Sequence, residues 1–393
     1  MNPLPIVVAA GASVCAAVLA LPVIVDLAAL ARRRTRTLTL AHPPRSHFVF
    51  LIPAHNEEGL ITSCVASVAG MAYPRRLVRI VVIADNCSDG TAAAARAAGA
   101  ECLERSDTVH PGKPHAVAWA LQHLADGAHD AVVILDADAV VDPEYASALD
   151  SAGPLRNKAI ECYDDVRNPG DSSLTRMAAV LSAGRFRGSF ALKHRAGLNV
   201  PLSDGMCLGV DLLKAHPWRA FGLSEDWELY AQLTAAGARI ELAPDAHLYA
   251  QETGTLRQSA SQRRRWLTGK LDALRRVGPE LIRSNRIGWL QKLDTLAELA
   301  VPGPAVHLGV AVVLGAVVAG SAAPGAAAII AALVLSLTRP AVYAVIGVVC
   351  VPDRLRSIAS FTYLPIYAGW RLVIAATSVL PLRPRLWVRT ARE

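Results

Sequence analysis

Residues 4–25 carry no charged side chain, and that run exceeds the ~20 apolar residues needed to cross a bilayer. Asp26 and residues 27–31 follow, and then the cluster Arg32, Arg33, Arg34 and Arg36. A cleaved signal peptide would carry its positive charge before the apolar run. Here it lies after it, so the pattern predicts a retained anchor with its N-terminus outside and Arg32 onward in the cytosol. Over all 393 residues, 53% are hydrophobic and only 19% are charged. A mean hydropathy of +0.32 is too high for an ordinary soluble protein, and the charge content is too high for one wholly in the membrane. One soluble domain plus spanning segments is implied.

The net charge of +7 concentrates in that first cluster and in Arg383, Arg385, Arg389 and Arg392, both beside apolar segments. This is membrane flanking. No groove-reading motif accompanies it, so nucleic acid is not an expected partner. The seven cysteines (Cys15, Cys64, Cys87, Cys102, Cys162, Cys207 and Cys350) show neither a CxxC pair nor zinc-like spacing. They read as packed thiols in a reducing compartment.

From His47 to about Lys270 the pattern changes. Apolar runs at 47–52, 77–84 and 131–135 end at Pro53, Asp85 and Asp136. Alanine-rich stretches at 91–98 and 115–125 suit helices between them. This rhythm predicts an α/β domain with a parallel sheet. Ligands of such sheets bind beyond the carboxyl ends of the strands, where Asn56, Asp85 and Asp136 fall.

Beyond this region, residues 279–300 show leucines at helical spacing with charges between them, which suits a helix at the membrane interface. Residues 301–320 and 324–351 are long enough for two spans, the second interrupted by Arg339. That arginine either snorkels or faces protein, or it marks a re-entrant piece. Residues 361–380, with Arg371, form another span or an interfacial helix. A cytosolic basic C-terminus requires an even number of crossings after the soluble domain. Two crossings and an interfacial last segment fit best.

Ile134-Leu135-Asp136-Ala137-Asp138 sets two carboxylates at the end of a strand. Hard divalent cations are commonly shared between such carboxylates and substrate phosphates. Alone, this pair reads equally as a solvated loop. It stands, however, in an ordered series. Ile52-Pro53-Ala54-His55-Asn56-Glu57-Glu58 follows the first strand, and Asp85-Asn86-Cys87-Ser88-Asp89-Gly90-Thr91 follows the second. Ser224-Glu225-Asp226 opens a helical run, and Gln262-Arg263-Arg264-Arg265-Trp266 comes later.

The order and spacing of these elements resemble the family 2 glycosyltransferases of the GT-A fold. The nearest branch is the membrane one that includes the cellulose, chitin, hyaluronan and poly-N-acetylglucosamine synthases. The resemblance runs from about Phe48 to Trp266, and more weakly to the tail Trp387-Val388-Arg389-Thr390. It implies a Rossmann-like nucleotide-diphospho-sugar transferase domain plus transmembrane helices. The expected organisation is an anchor at 1–31, a basic linker at 32–47, a cytosolic GT-A domain at 48–275 and an amphipathic interface helix at 276–300. Two transmembrane segments at 301–355 follow, then an interfacial or transmembrane helix with a basic tail at 356–393.

The resemblance also implies residue roles. Pro53 and Glu57 sit at the uridine and ribose, Asp85 at the base, and Lys113 near the nucleotide. Asp136 contacts the nucleotide, and Asp138 ligates Mn²⁺ or Mg²⁺. Asp226 is the catalytic base. Gln262 and Arg265 clamp the pyrophosphate, while Glu225 and Trp266 border the acceptor. These roles suit the chemistry, since negative charge grows on the leaving diphosphate and the acceptor hydroxyl must lose a proton. Asp204-Gly205-Met206-Cys207 resembles the segment before the catalytic aspartate, although Asp204 reads equally as a turn residue. His55, His110 and His115 have no metal-like partners in the sequence. Arg263 and Arg264 either join Arg265 at the phosphates or face solvent or headgroups.

The expected activity is inverting transfer from a UDP-sugar to a growing β-linked polysaccharide at a bacterial-type inner membrane. The alternative is transfer of one sugar to a lipid acceptor. Both involve membrane lipids, and a polymer channel built from so few spans calls for a homo-oligomer or a partner subunit. A catalytically dead scaffold fits poorly with the intact motif set. No residue identifies the sugar.

Overall fold

The computed structural model describes residues 4–32, 45–124 and 128–379. Arg33, Arg34, Arg36, Arg383, Arg385, Arg389, Arg392 and the tail Trp387-Val388-Arg389-Thr390 lie outside the described residues, as does most of the 32–47 linker. The described chain forms two compact units. One holds residues 45–124, 128–168 and Asn199–Glu252. The other holds residues 4–32, Pro169–Leu198 and 253–379. This division differs from the single domain expected over 48–275, because 169–198 and the stretch from Thr253 belong to the second unit.

The first unit is built on an eight-stranded sheet in the order β3-β2-β1-β4-β7-β6-β8-β5. Its strands are β1 (Phe48–Ala54), β2 (Val78–Asp85), β3 (Glu101–Arg105), β4 (Ala131–Ile134), β5 (Val140–Val141), β6 (Ala159–Val166), β7 (Met206–Gly209) and β8 (Ile240–Ala250). The block β3-β2-β1-β4 is parallel, as expected. The sheet as a whole is mixed, because β7 runs antiparallel to β4 and β6, and β5 antiparallel to β8. Parallel neighbours need a crossover that packs back on the sheet. Between β6 and β7 the chain instead runs through 169–198, which belongs to the other unit.

All seven residues of β1 are buried, which suits a central strand covered on both faces. The strand continues through Pro53, where the sequence suggested a stop. The reason lies in the hydrogen-bond directions. The Leu51 carbonyl accepts from the Leu135 amide, so residues 51 and 53 both turn toward β4. β4 has ended at Ile134, so the N–H that proline lacks has no strand partner to miss. β1, β2 and β4 therefore finish together and present the residues after them at one sheet edge.

The second unit is helical. Three of its helices are long and apolar enough to cross a membrane: Leu4–Ala31, Ala326–Cys350 and Arg354–Ser378. Helices Trp289–Ala300 and Pro304–Gly320 together pass the same test but are bent by 80°. Pro304–Gly320 alone has 17 residues, short of the ~20 needed. The last segment thus meets the length test by itself, and 301–320 does not. The amphipathic stretch 279–300 is also divided. Pro279 lies inside the long helix Leu256–Arg283, and a new helix begins at Trp289. The break is capped by Lys292, whose Nζ donates to the Ile282 carbonyl at 2.7 Å.

Arg339 faces protein. Its guanidinium lies 2.9 Å from Asp26 and 2.9 Å from Glu298, and it donates to the Ser189 hydroxyl at 2.9 Å. Lys193 bridges Asp294 and Glu298, each at 2.8 Å, and the Tyr343 hydroxyl donates to Asp26 at 2.6 Å. Breaking such a buried network from one side costs about 3–5 kcal/mol, because the remaining charge is left uncompensated.

Small residues bring two other helices of this unit together. A Cβ on Gly184 would overlap the Tyr343 backbone, one on Gly188 the Tyr343 ring, and one on Gly347 the Val180 carbonyl. The helix Ser173–Gly184 and the π-helical turn Arg185–Phe190 therefore press directly on Ala326–Cys350. Gly347→Leu is expected to destabilise the protein by at least ~2 kcal/mol. A thermal melt in detergent checks this, and an unchanged midpoint would contradict the close approach.

Candidate active site

The loops that leave β1, β2 and β3 hold one another. Asn56, with φ 55°, accepts from the Ser88 amide at 2.8 Å, and the Glu57 amide donates to the Thr91 hydroxyl at 2.8 Å. The Gly90 amide donates to Glu58 at 3.0 Å. Asn86, with φ 52°, donates to the Asp107 carbonyl at 3.0 Å and accepts from its amide at 2.9 Å. Asparagine tolerates this left-handed conformation better than most residues. Pro53 and Glu57 thus belong to a rigid β1–β2 rim. His55 joins it through Nδ1, 2.8 Å from the Asp85 carbonyl.

Asp85 is almost wholly buried. One of its oxygens accepts from Arg105 at 2.6 Å, and the other from the Gly112 amide at 3.1 Å. Arg105 also binds Asp107 at 2.7 Å and the His110 carbonyl at 2.7 Å. Asp85 is therefore tied into a network that orders residues 105–112 and leads to Lys113. The helix Lys113–His123 begins two residues before the expected His115, with Pro114 in its first turn. His115 stacks on the exposed Phe221 at 4.8 Å, and its ring is pushed below the ordinary histidine range by burial and then by His110.

Lys113 connects the motifs. Its Nζ lies 2.7 Å from Asp136 and 3.0 Å from Glu225. Burial works against its charge, but the Asp136, Glu225 and Asp204 carboxylates outweigh it and hold the ammonium well above its ordinary range. Glu225 and Asp226 open the helix Glu225–Ala235, and Asp226 Oδ1 accepts from the Trp227 amide at 2.8 Å. Both carboxylates lie in the first turn, at the positive end of the helix dipole. Asp138 is half-buried two residues beyond Asp136.

Asp204 enters the same group from β7. Its Oδ1 accepts from the Asp136 amide at 2.7 Å, and its buried Oδ2 has no hydrogen-bond partner among the described residues. Burial and then the Asp136 carboxylate push Asp204 well above the usual carboxylate range, against the pull of Lys113. Asp136, Asp204 and Glu225 thus share the ammonium of Lys113, and Asp138 adds its negative charge beside Asp204. Among the described residues no three His, Cys, Asp or Glu side chains form a metal cage by themselves. A divalent cation fits the donor set if substrate phosphates complete its shell, which is the usual arrangement for Mg²⁺. The excess of carboxylate and the orphaned Asp204 oxygen both favour added positive charge here. Asp138 and Asp136 are the residues that would hold it.

Gln262, Arg265 and Trp266 lie in the helical unit, half-buried on the helix Leu256–Arg283. Thr255 caps that helix by accepting from the Gln258 amide at 3.3 Å. The Arg263 guanidinium stacks over Trp266 at 4.6 Å, and Arg264 donates to Thr377 at 3.4 Å. Both arginines thus have partners within their own unit.

The profile of the family described as "Glycosyltransferase like family 2" matches residues 43–269, more than half of the chain. The chain belongs to that family. The family 2 chain is 26% identical over 236 residues to a probable glycosyltransferase, YdaM, of Bacillus subtilis strain 168. That match covers 56% of this chain and 54% of the relative, so the chain spans about half the length of the curated relative it matches. Among solved structures it is similar to the mannosyltransferase PcManGT from Pyrobaculum calidifontis, in complex with GDP-Man and Mn²⁺. The TM-score is 0.57 at 20% identity, covering 94% of this chain and 97% of that one. A second solved structure, S. aureus TarS 1-349 with UDP-GlcNAc, matches at 16% identity over 84% of this chain and 90% of its own, with a TM-score of 0.45. The GT-A fold is thereby shown: a mixed α/β sheet whose strand ends carry the motif loops.

Sequence reasoning missed two members of the site. Arg105 ends β3, a strand that was not anticipated. Its only apolar residues, the adjacent Cys102 and Leu103, are too little pattern to signal a strand. For Asp204 the sequence offers both a turn role and a resemblance to the segment before the catalytic aspartate, but nothing near it in the sequence points to Asp136.

Proposed function

We propose that this family 2 glycosyltransferase is a membrane-embedded, metal-dependent inverting enzyme that moves a sugar from a UDP-sugar to a growing β-linked polysaccharide. The observation that carries the reading is the Lys113 bridge, which joins Asp136 of the DxD pair to Glu225 beside Asp226. The bridge supports a reading in which the nucleotide-side carboxylates and the carboxylate that takes a proton act on one bound donor. On this reading Pro53 and Glu57 line the uridine and ribose, and Asp85 shapes the base end through Arg105 and the Gly112 amide. Lys113 and Asp136 meet the diphosphate, and Asp138 binds the cation. A bound Mn²⁺ or Mg²⁺ supplies positive charge for the departing diphosphate. Asp226 accepts the acceptor hydroxyl's proton as that oxygen bonds to the anomeric carbon. The carbon–oxygen bond to the diphosphate breaks, and the nucleotide leaves with the electron pair. One such displacement inverts the centre. For Gln262, Arg265 and Trp266 the reading rests on the family motif alone, which assigns the first two to the pyrophosphate and Trp266 to the acceptor.

On this reading the enzyme works in a bacterial-type inner membrane with its catalytic domain in the cytosol, which the apolar helices and the arginines that follow the first apolar run support. A second reading, transfer of one sugar to a lipid acceptor, is favoured by the small number of candidate spans, three or up to four. The test uses the full chain in detergent with Mn²⁺ and labelled UDP-sugars, with GDP-mannose alongside. Polymer retained on a filter supports the synthase, and product extracted into organic solvent supports the lipid acceptor. Neither transfer nor hydrolysis with any donor would overturn both.

A further inference from the structure

Asp204 precedes β7, and β7 lies antiparallel beside β4 with Met206 opposite Ile134. The Gly205 amide donates to the Ile134 carbonyl at 2.9 Å, so the turn abuts the point where Asp136-Ala137-Asp138 leaves the sheet. That turn is held from several directions. The Tyr145 hydroxyl donates to the Gly205 carbonyl at 2.7 Å, and the Cys162 thiol to the Asp204 carbonyl at 3.2 Å. Gly205 has φ +76°, and a Cβ there would strike Leu248, the Tyr145 hydroxyl and the Cys162 sulfur. The carboxylate therefore has one place to go. Its Oδ1 accepts from the Asp136 amide at 2.7 Å and the Gly205 amide at 2.8 Å. Its Oδ2 is sealed from solvent without a hydrogen-bond partner among the described residues.

A residue needed only to make a turn would use both oxygens locally, or would be a serine or asparagine. Burying a carboxylate oxygen unsatisfied beside other carboxylates is costly. Carboxylates just behind metal ligands orient those ligands and take hydrogen bonds from what the metal brings. We propose that Asp204 is a positioning residue of the donor site. Its Oδ1 fixes the Asp136 amide and thus the direction of the Asp136–Asp138 pair, while its Oδ2 accepts from a water arriving with the divalent cation. The inference rests on the reading of Asp138 as the cation-binding carboxylate and of Asp136 as its neighbour at the diphosphate.

Titration of the full chain in detergent with Mn²⁺, following free Mn²⁺ by electron paramagnetic resonance with and without UDP, tests it. Asp204→Asn keeps an acceptor for the Asp136 amide but replaces Oδ2 with a donor. It is expected to weaken Mn²⁺ binding by about 10–100-fold. Its melting temperature without metal should be unchanged or higher, because a buried negative charge is gone. Asp204→Ser, which also lacks the second oxygen, should behave alike and decides the matter if Asp204→Asn does not fold. If both variants that fold bind Mn²⁺ within twofold of wild type while Asp138→Ala does not, Asp204 is only a turn residue. If Asp138→Ala also binds normally, the cation-site reading itself fails, and the inference fails with it.

Discussion

The Asp226→Asn protein will bind its nucleotide sugar about as tightly as the wild type and transfer it roughly 10²–10⁴-fold more slowly, the range associated with a positioned general base. Asparagine can still accept from the Trp227 amide, as Asp226 does at 2.8 Å, so the first turn of the helix Glu225–Ala235 should hold. Lys113 is held by Asp136 and Glu225, so the diphosphate side of the site should remain as it is. Binding by calorimetry and turnover by UDP release separate the two effects. Transfer at the normal rate would remove Asp226 from the proton-accepting role and leave Glu225 as the next carboxylate to examine.

Asp138→Ala should have the second large effect, and it should appear without any turnover. A ligand that binds only the folded protein stabilises it by about 2.7 kcal/mol at one hundred times its dissociation constant. The wild type should therefore melt higher with Mn²⁺ and UDP than without, and the variant should show no such rise. Without metal the variant should melt at or above the wild-type temperature, since one of several crowded carboxylates has been removed. A full Mn²⁺-dependent rise in the variant would take the cation away from Asp138.

What the sequence reveals about this fold follows from distance along the chain. β1, β2 and β4 are legible because each is an apolar run ended by proline or aspartate, and those endings are also the site. The reversed β7 is not legible, because four residues hold too little pattern to set direction. Asp204 is not legible because its bond to the Asp136 amide spans 68 positions and exists only once β7 lies beside β4. The helix Ser173–Gly184 has a capping box from Ser172 and Thr175, so its existence can be read. Its partner cannot, since the glycine contact at Gly184 is with Tyr343 in a distant segment. Pro279 misled for a physical reason. Proline favours the first turn of a helix, yet here it sits within Leu256–Arg283.

The pairing of Asp26 with Arg339 has a consequence for how the protein is made. The two partners are 313 positions apart. At ~5–20 residues per second, ribosomes need tens of seconds to pass from one to the other. On the membrane reading, the first helix enters the bilayer long before its guanidinium partner exists. Asp26 must spend that interval hydrated near the surface or held by an insertion factor. Assembly of the helical unit is then a post-synthetic event, completed only when the last third of the chain arrives to neutralise a charge laid down at its beginning.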